Sequence, residues 1–297
     1  MTQNQIIFDL SMALTYLPLM GALLFLWVLP RKKWSLGLVV VLAAGGMISG
    51  FVHGFLGPEA LAPVLLLGAC CYYAARLKTR DPLYVVISVL ILLICIVLFA
   101  HKAPGFYNQK YVDDLVLSPG AMPYSSYLNW DKPLVALFLI GFGIAPALSL
   151  KKFPRPGRVL TALPFVLAGI LALIGTGFGF LAFDPKLPGI LILWLPVNLL
   201  FTCMAEEALF RGFIQTAFIR ISGKGRWAGY TAVGMAALLF GLAHFGGGPV
   251  YVLLSTIAGI GYGYVFYRTG RLEAAILLHW FINTLHILLF TYPALQP

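Results

Sequence analysis

Ten apolar segments, each long enough to cross a bilayer as a helix, divide the 297-residue chain. A spanning helix needs about 20 mainly apolar residues, because no water in the hydrocarbon core can satisfy the backbone polar groups. The composition agrees, since 61% of the residues are hydrophobic and 10% are charged, whereas soluble domains have about 25% charged residues. The sequence therefore predicts an all-α, polytopic transmembrane bundle of about ten helices (eight to ten), near residues 10–30, 35–56, 59–76, 83–100, 133–150, 159–182, 188–210, 227–246, 249–267 and 272–291.

The basic residues segregate to one side of this predicted bundle. With ten spans and an external N-terminus, fifteen of the twenty Lys and Arg residues fall at one face. Cytoplasmic loops of membrane proteins carry such an excess of basic residues. We therefore expect an integral membrane protein with both termini outside the cytoplasm. The net charge of +10 then orients the chain in the lipid bilayer, and nucleic-acid binding is not expected.

The longest segment between predicted spans covers about residues 101–132 and is rich in aromatic residues. Aromatic side chains are common at the membrane–water interface. We interpret this segment as an external interfacial loop that joins two parts of the chain. Residues 1–132 would hold the N-terminal transmembrane helices and this loop, and residues 133–297 would form the functional core.

Two adjacent glutamates, Glu206 and Glu207, interrupt an otherwise apolar stretch of the span 188–210, and Arg211 follows them. A charge at mid-bilayer costs about 2.5–3.5 kcal/mol on insertion scales, so ionisable residues there indicate a functional site. Glu207 and Arg211 are four residues apart and share a helix face, whereas Glu206 is rotated by about 100°. We therefore expect Arg211 to neutralise and anchor Glu207, which leaves Glu206 as the freer carboxylate.

The next span brings a histidine to the depth of Glu206. Glu206 lies fourteen residues before Arg220, and His244 lies seventeen residues after Trp227. At about 1.5 Å per residue, each is about 21–26 Å from the turn between the two helices. Phe240 shares a helix face with His244 and is expected to wall the site.

The last span carries His279 and Asn283, which are four residues apart and therefore share a face. Counted from Arg271, Asn283 lies about 18 Å into the helix, close to the same layer. A single Glu–Arg pair or a single histidine can be a structural contact. The convergence of these groups from three helices favours a functional polar cavity over a structural network.

Three short motifs, EExxxR, FxxxH and HxxxN, occur in this order on the late spans. They are Glu206–Arg211, Phe240–His244 and His279–Asn283. Together they resemble the CAAX protease and bacteriocin-processing (CPBP, or Abi) family of intramembrane proteases, which includes the Ras-converting CAAX endopeptidases. The resemblance covers about residues 187–290, and the flanking segments are similar to bacterial members. It therefore implies an intramembrane protease of a bacterial cytoplasmic (inner) membrane.

The resemblance also implies a role for each motif residue. Glu206 and His244 would activate a water for attack on a peptide carbonyl, and His279 and Asn283 would stabilise the oxyanion. The implied substrate is a membrane-associated protein or peptide, and no cofactor or metal is expected. The implied catalytic set is Glu206, His244, His279 and Asn283, supported by Glu207, Arg211 and Phe240.

Three other functions remain open at this point. Glu206, His244 and His279 are all possible zinc ligands, although no HExxH motif is present. Intramembrane ionisable clusters also occur in transporters and proton channels, but the inverted repeats typical of transporters are not evident in the sequence. A third alternative is a membrane protein that binds peptides without cutting them, as a chaperone or immunity factor.

Overall fold

The structure is a computed structural model that describes residues 7–29, 32–146, 158–222 and 227–296. Within these residues the chain forms ten α-helices and one two-stranded antiparallel sheet. The helices are α1 (Leu10–Val28), α2 (Lys33–Val52), α3 (Leu61–Ala74), α4 (Pro82–Phe99), α5 (Asp131–Gly141), α6 (Arg158–Gly177), α7 (Leu191–Ser222), α8 (Ala228–Leu242), α9 (Gly248–Thr269) and α10 (Leu272–Leu289), and the strands are β1 (Gln109–Leu115) and β2 (Tyr124–Leu128).

Each predicted apolar segment overlaps one of these helices, so the prediction of an all-α, polytopic bundle is confirmed, although α7 continues to Ser222, beyond the predicted end at residue 210. Seven helices, α1, α2, α4, α6, α7, α9 and α10, have the length and hydropathy to cross a membrane. Helices α3 and α8 are apolar but shorter, and α5 has 11 residues.

Helix α5 ends before the predicted boundary because Gly143 adopts a left-handed conformation with φ of 77°, which stops a helix. Residues 147–150 of that predicted span lie outside the described residues.

Local sequence signals account for several helix ends. The Asp9 carboxylate accepts a hydrogen bond from the Met12 N–H (2.8 Å) and caps α1. Asp81 caps α4 in the same way, and Pro82 occupies the first turn, where its missing N–H costs nothing. Helix α9 ends at Gly270, whose φ of 65° is left-handed, and such a glycine satisfies the last carbonyls of a helix.

The segment predicted to be an interfacial loop contains the β1–β2 hairpin, which the sequence did not predict. Its pairing is irregular, with two shifts of register. Residues near both ends of the described chain bond to this hairpin, one to strand β1 and the other to the connection between the strands. The Ile7 N–H donates to the Tyr111 carbonyl (3.0 Å) and the Met122 N–H donates to the Ala294 carbonyl (2.9 Å). Both ends of the described chain therefore lie at the same end of the bundle.

Small residues allow α8 and α9 to pack closely. A Cβ added at Gly241 would overlap the Thr256 hydroxyl, and a Cβ at Gly259 would lie 3.1 Å from Ala237 Cα. Small residues at helix interfaces are a common way for membrane helices to approach each other. This close approach places the end of α8 beside the middle of α9.

Helix α5 packs between the N-terminal helices and the core. It contacts α1, α3 and α4 on one side and α7 on the other. The division of the chain near residue 132 stays a prediction, and α5 joins the two proposed parts.

Candidate active site

The acidic pair lies at a distinctive point of α7. Residues 198–203 and 208–215 are π-helical, and Glu206 and Glu207 lie in the short α-helical stretch between them. π-Helical turns are rare and occur frequently at functional sites. The two carboxylates point to different partners, as their rotation about the helix predicts.

Glu207 is the anchored carboxylate. Its Oε1 accepts hydrogen bonds from Arg211 Nη1 (3.0 Å) and from His279 Nδ1 (2.9 Å). Arg211 Nη2 donates a third bond to the Gly259 carbonyl (3.0 Å). The side chains of Glu207 and Arg211 are both 0% exposed. Burying charges is unfavourable unless they are paired and hydrogen-bonded. These three hydrogen bonds therefore offset the cost of burying Glu207 and Arg211 inside the bundle.

Aromatic rings surround the arginine. The Arg211 guanidinium carbon lies 4.5 Å from the centre of the Phe240 ring and 5.3 Å from that of Tyr262, within the range of cation–π attraction. Phe240 also contacts both histidines, with ring centres 4.6 Å from His244 and 5.7 Å from His279. The structure thus places Phe240 as a wall of the site, where the sequence predicted it.

Both histidines are held through Nδ1. His244 follows the last turn of α8, and its backbone N–H bonds to the Gly241 carbonyl. The Phe240 carbonyl therefore accepts from the imidazole instead, at 2.7 Å from Nδ1. Because a carbonyl only accepts, we assign the His244 proton to Nδ1, and in the neutral ring Nε2 keeps its lone pair.

The same logic applies to His279, whose Nδ1 donates to the Glu207 carboxylate. Tyr262 stacks on its ring at 4.6 Å with an interplanar angle of 16°, which fixes the ring plane. The Nε2 atoms of His244 and His279 are each 4.0 Å from Oε2 of Glu206. Three polar atoms from three helices therefore converge on one point.

Glu206 has two differently placed oxygens. Its Oε1 lies 3.4 Å from Lys132 Nζ, and Oε2 is buried and accepts no hydrogen bond from any residue that the structure describes. Glu206 as a whole is 5% exposed. A separation of 4.0 Å exceeds hydrogen-bond length, and polar groups at such distances are often joined through a water.

Asn283 lies in the same cavity but makes other bonds. Its Nδ2 donates to Asn198 Oδ1 (3.2 Å), which also accepts from Cys203 Sγ (3.3 Å). Asn283, His244 and His279 all line a cavity of about 310 Å³. Asn283 Nδ2 also donates to Cys203 Sγ at 3.6 Å. Because sulfur is a weak acceptor, this second N–H is the one that an oxyanion could take over.

The cavity is bounded by α6, α8, α9, α10 and the loop that follows α6. One end carries the polar groups of the site, and the remaining walls are mostly apolar. These apolar walls include Leu171, Leu181, Leu254, Ala258 and Ile282.

Three residues near the site were not predicted from the sequence. Lys132 was placed in an external loop, and nothing local connects it with Glu206, 74 positions away. Asn198 orients Asn283, and Tyr262 stacks on His279. Tyr262 lies in a glycine-rich part of the predicted span 249–267, and such small neighbours are a signal of close helix packing.

The potential donors of a metal site are Glu206, His244 and His279. In the part of the chain that the structure describes, no group of three His, Cys, Asp or Glu side chains is arranged to hold a metal ion. The expectation of a metal-free site stays a prediction.

Residues 188–285 match the family model of the type II CAAX prenyl endopeptidase Rce1-like proteins. This segment contains all three motifs and most of helices α7 to α10. This segment is therefore similar to the CAAX protease family. The seven apolar helices and this match together indicate an integral membrane protein. No curated protein and no solved structure matches the chain.

Proposed function

We propose that the protein is an intramembrane endopeptidase of the glutamate type, which hydrolyses a peptide bond of a membrane-associated protein or peptide. The observation that carries this proposal is the convergence of Glu206 Oε2 with the Nε2 atoms of His244 and His279, each at 4.0 Å. A buried acceptor beside two oriented imidazoles is the arrangement that general acid–base catalysis requires.

In the proposed first step, Glu206 and His244 position a water. Glu206 Oε2 and His244 Nε2 are both acceptors, so they can each bind one hydrogen of the same water and direct its oxygen lone pair at the substrate. As the new C–O bond forms, Glu206 takes the water proton and the carbonyl π electrons move to the carbonyl oxygen. The product of this step is a tetrahedral oxyanion.

In the second step the oxyanion collapses and the C–N bond breaks. The proton held by Glu206 is transferred to the leaving amine, with His244 beside it as a relay. Asn283 supplies an N–H to the oxyanion, and one such donor is worth about 2.7–4 kcal/mol. His279 can donate from Nε2 only as the imidazolium, because its Nδ1–H is bound to Glu207.

The 310 Å³ cavity provides the substrate site in this proposal. Its apolar walls suit an apolar side chain or lipid-facing segment next to the scissile bond, because pockets of this size bind through apolar contact with a few placed polar groups. The polar end then presents His244, His279 and Asn283 to the carbonyl. We propose a bacterial cytoplasmic membrane as the location, with both termini outside the cytoplasm.

The test uses the purified protein in lipid vesicles with peptides from cyanogen bromide cleavage of bacterial membrane proteins. Incubation in H₂¹⁸O labels each newly formed C-terminal carboxyl group, which mass spectrometry detects. Wild type should create labelled termini and Glu206→Gln should not. Glu273→Gln is the matched control, since Glu273 is also a buried glutamate paired with a basic residue, here Arg271. Equal labelling by wild type and Glu206→Gln, including none by either, contradicts the proposal.

A zinc-dependent protease is a second candidate, because the three converging atoms are all possible zinc ligands. Treatment with a chelator separates the two mechanisms. The metal-free mechanism predicts an unchanged rate after treatment. Loss of activity that added zinc restores would assign the zinc mechanism instead.

A non-catalytic role in peptide binding or immunity makes a different prediction for the cell. If the protein only binds peptides, Glu206→Gln should preserve the phenotype that deletion of the protein removes. The protease proposal predicts that Glu206→Gln and the deletion behave alike.

A further inference from the structure

We propose that Lys132, which lies outside the segment that matches the family, is a positioning residue for Glu206. Its ammonium group holds Oε1 and thereby turns Oε2 toward the two histidines. This inference rests on the proposed function of the same site. It assigns a part in the reaction to the junction between the hairpin and α5.

The backbone of Lys132 is fixed by a buried carboxylate. The Lys132 N–H donates to Asp131 Oδ1 (2.9 Å), and Asp131 is 1% exposed. The other oxygen, Oδ2, accepts from His101 Nδ1 (2.6 Å) and from Asn108 Nδ2 (3.1 Å). Asn108 also accepts from the Trp130 N–H (3.3 Å). These hydrogen bonds join the segment before β1 to the start of α5, next to Lys132.

The side chain of Lys132 is confined as well. Its Nζ lies 5.3 Å from the centre of the Phe99 ring and 3.4 Å from Glu206 Oε1, and its side chain is 21% exposed against 7% for Glu206. Exposed ion pairs contribute little because solvent screens them and the side chains move. This pair is mostly removed from solvent at the glutamate end, so the attraction is stronger and its geometry is better defined.

The consequence for Glu206 follows from the geometry of a carboxylate. With Oε1 held by Lys132, the only oxygen available to a water between the histidines is Oε2. Without the lysine, the carboxylate is free to rotate about its last bond or to bind an imidazole directly. A misplacement of about 1 Å in a catalytic group can lower a rate by about 100-fold.

Lys132 does not line the 310 Å³ cavity in the described structure. Its removal should therefore lower kcat while KM changes little, which is the pattern of an interaction that acts in the transition state. If Lys132 only held α5 against α7, its removal would instead lower the stability of the fold. The two roles are separable because the ammonium group can be restored after folding.

The experiment uses Lys132→Met, Lys132→Cys and the control Lys110→Met. Lys110 lies in the hairpin and pairs with Asp113, so this control removes a cation from the same end of the bundle. The substrate probe is the peptide that the wild-type protein labels fastest in H₂¹⁸O, made synthetically. We expect kcat to fall about 10- to 100-fold in Lys132→Met and Lys132→Cys and to stay within about twofold in Lys110→Met.

Alkylation of folded Lys132→Cys provides the decisive arm. Treatment with 2-bromoethylamine adds an ammonium group at nearly the length of lysine, whereas iodoacetamide adds a neutral amide. The native cysteines Cys70, Cys71, Cys95 and Cys203 are all buried, and treated wild type measures any background. Bromoethylamine should recover at least half of the lost kcat, and iodoacetamide should recover none.

Two results overturn the role of Lys132. One is a near-wild-type kcat for Lys132→Met while Glu206→Gln is inactive. The other is a loss of activity in Lys132→Cys that the restored ammonium group does not reverse, which indicates a structural clamp. Full activity of Glu206→Gln would instead refute the proposed function itself, so the two failures are distinguishable.

Discussion

The buried pair of Glu207 and Arg211 offers a quantitative test of how the site is held together. Replacing Arg211 by methionine keeps an apolar stem of similar length but removes the cation. Glu207, whose side chain is 0% exposed, then keeps a single hydrogen-bond partner, His279 Nδ1. The Gly259 carbonyl loses its bond from Arg211.

The expected cost of this change is large. Breaking a buried ion pair from one side costs about 3–5 kcal/mol, because an uncompensated charge stays in the interior. Adding Glu207→Gln removes that charge and keeps an amide oxygen that can accept from His279. The double variant should then lack only neutral hydrogen-bond partners, those of the Gly259 carbonyl and of the new amide N–H groups, and leaving one such buried group unpaired costs about 1–3 kcal/mol.

The double variant Glu207→Gln/Arg211→Met should therefore be more stable than Arg211→Met alone by about 2 kcal/mol. Reversible unfolding by SDS in mixed micelles, followed by the fluorescence of buried Trp130 and Trp194, measures both free energies. A double variant that is equal to or less stable than Arg211→Met would mean that the two losses add. That result would refute the assignment of Arg211 as the partner that neutralises Glu207.

Three further predictions concern single groups. Asn283→Ala should lower kcat by about 100- to 1,000-fold, as loss of one oxyanion donor does, with only a small loss of thermal stability from the missing bond to Asn198; an unchanged kcat would remove Asn283 from the mechanism. Hydrogen bonds from Ser118 and Lys186 lower the pKa of Asp184 below its ordinary value of 3.8. The ionised Asp184 carboxylate therefore stabilises the fold fully above pH 3.8, and this stabilisation is lost as the pH falls through the lower pKa of the folded state. The melting temperatures of wild type and Asp184→Asn should accordingly differ at pH 6, and this difference should shrink as the pH falls below 3.8; a constant difference would argue against the ionised form. Gly241→Ala should lower the melting temperature by several degrees, because the added methyl overlaps Thr256, whereas Gly234→Ala, where the added Cβ meets nothing within 4 Å, should not.

The apolar segments and the local spacings could be predicted because both depend on nearby residues. A bilayer sets the length of a spanning helix, so each helix overlaps its predicted segment, although α7 continues well past residue 210. The contact between Glu207 and Arg211 follows from helical periodicity alone. The common depth of Glu206 and His244 followed from counting residues back to one turn.

The remaining features depend on contacts between distant parts of the chain. The β1–β2 hairpin pairs with two shifts of register, so it leaves no regular alternation in the sequence. Lys132 reaches Glu206 only because α5 packs against α7. The π-helical turns of α7 and the bond from Asn283 to Asn198 likewise arise from tertiary packing, which periodicity does not encode.

The most direct test of the central claim compares Glu206→Gln, His244→Ala and the double variant in the H₂¹⁸O assay. If Glu206 and His244 act on the same water, each single change should reduce the rate by about 100- to 10,000-fold. The double variant should then be no more than about tenfold slower than either, because residues that act as a unit have non-additive effects. A double variant whose loss equals the product of the two single losses would show that the residues act independently, and would contradict the mechanism.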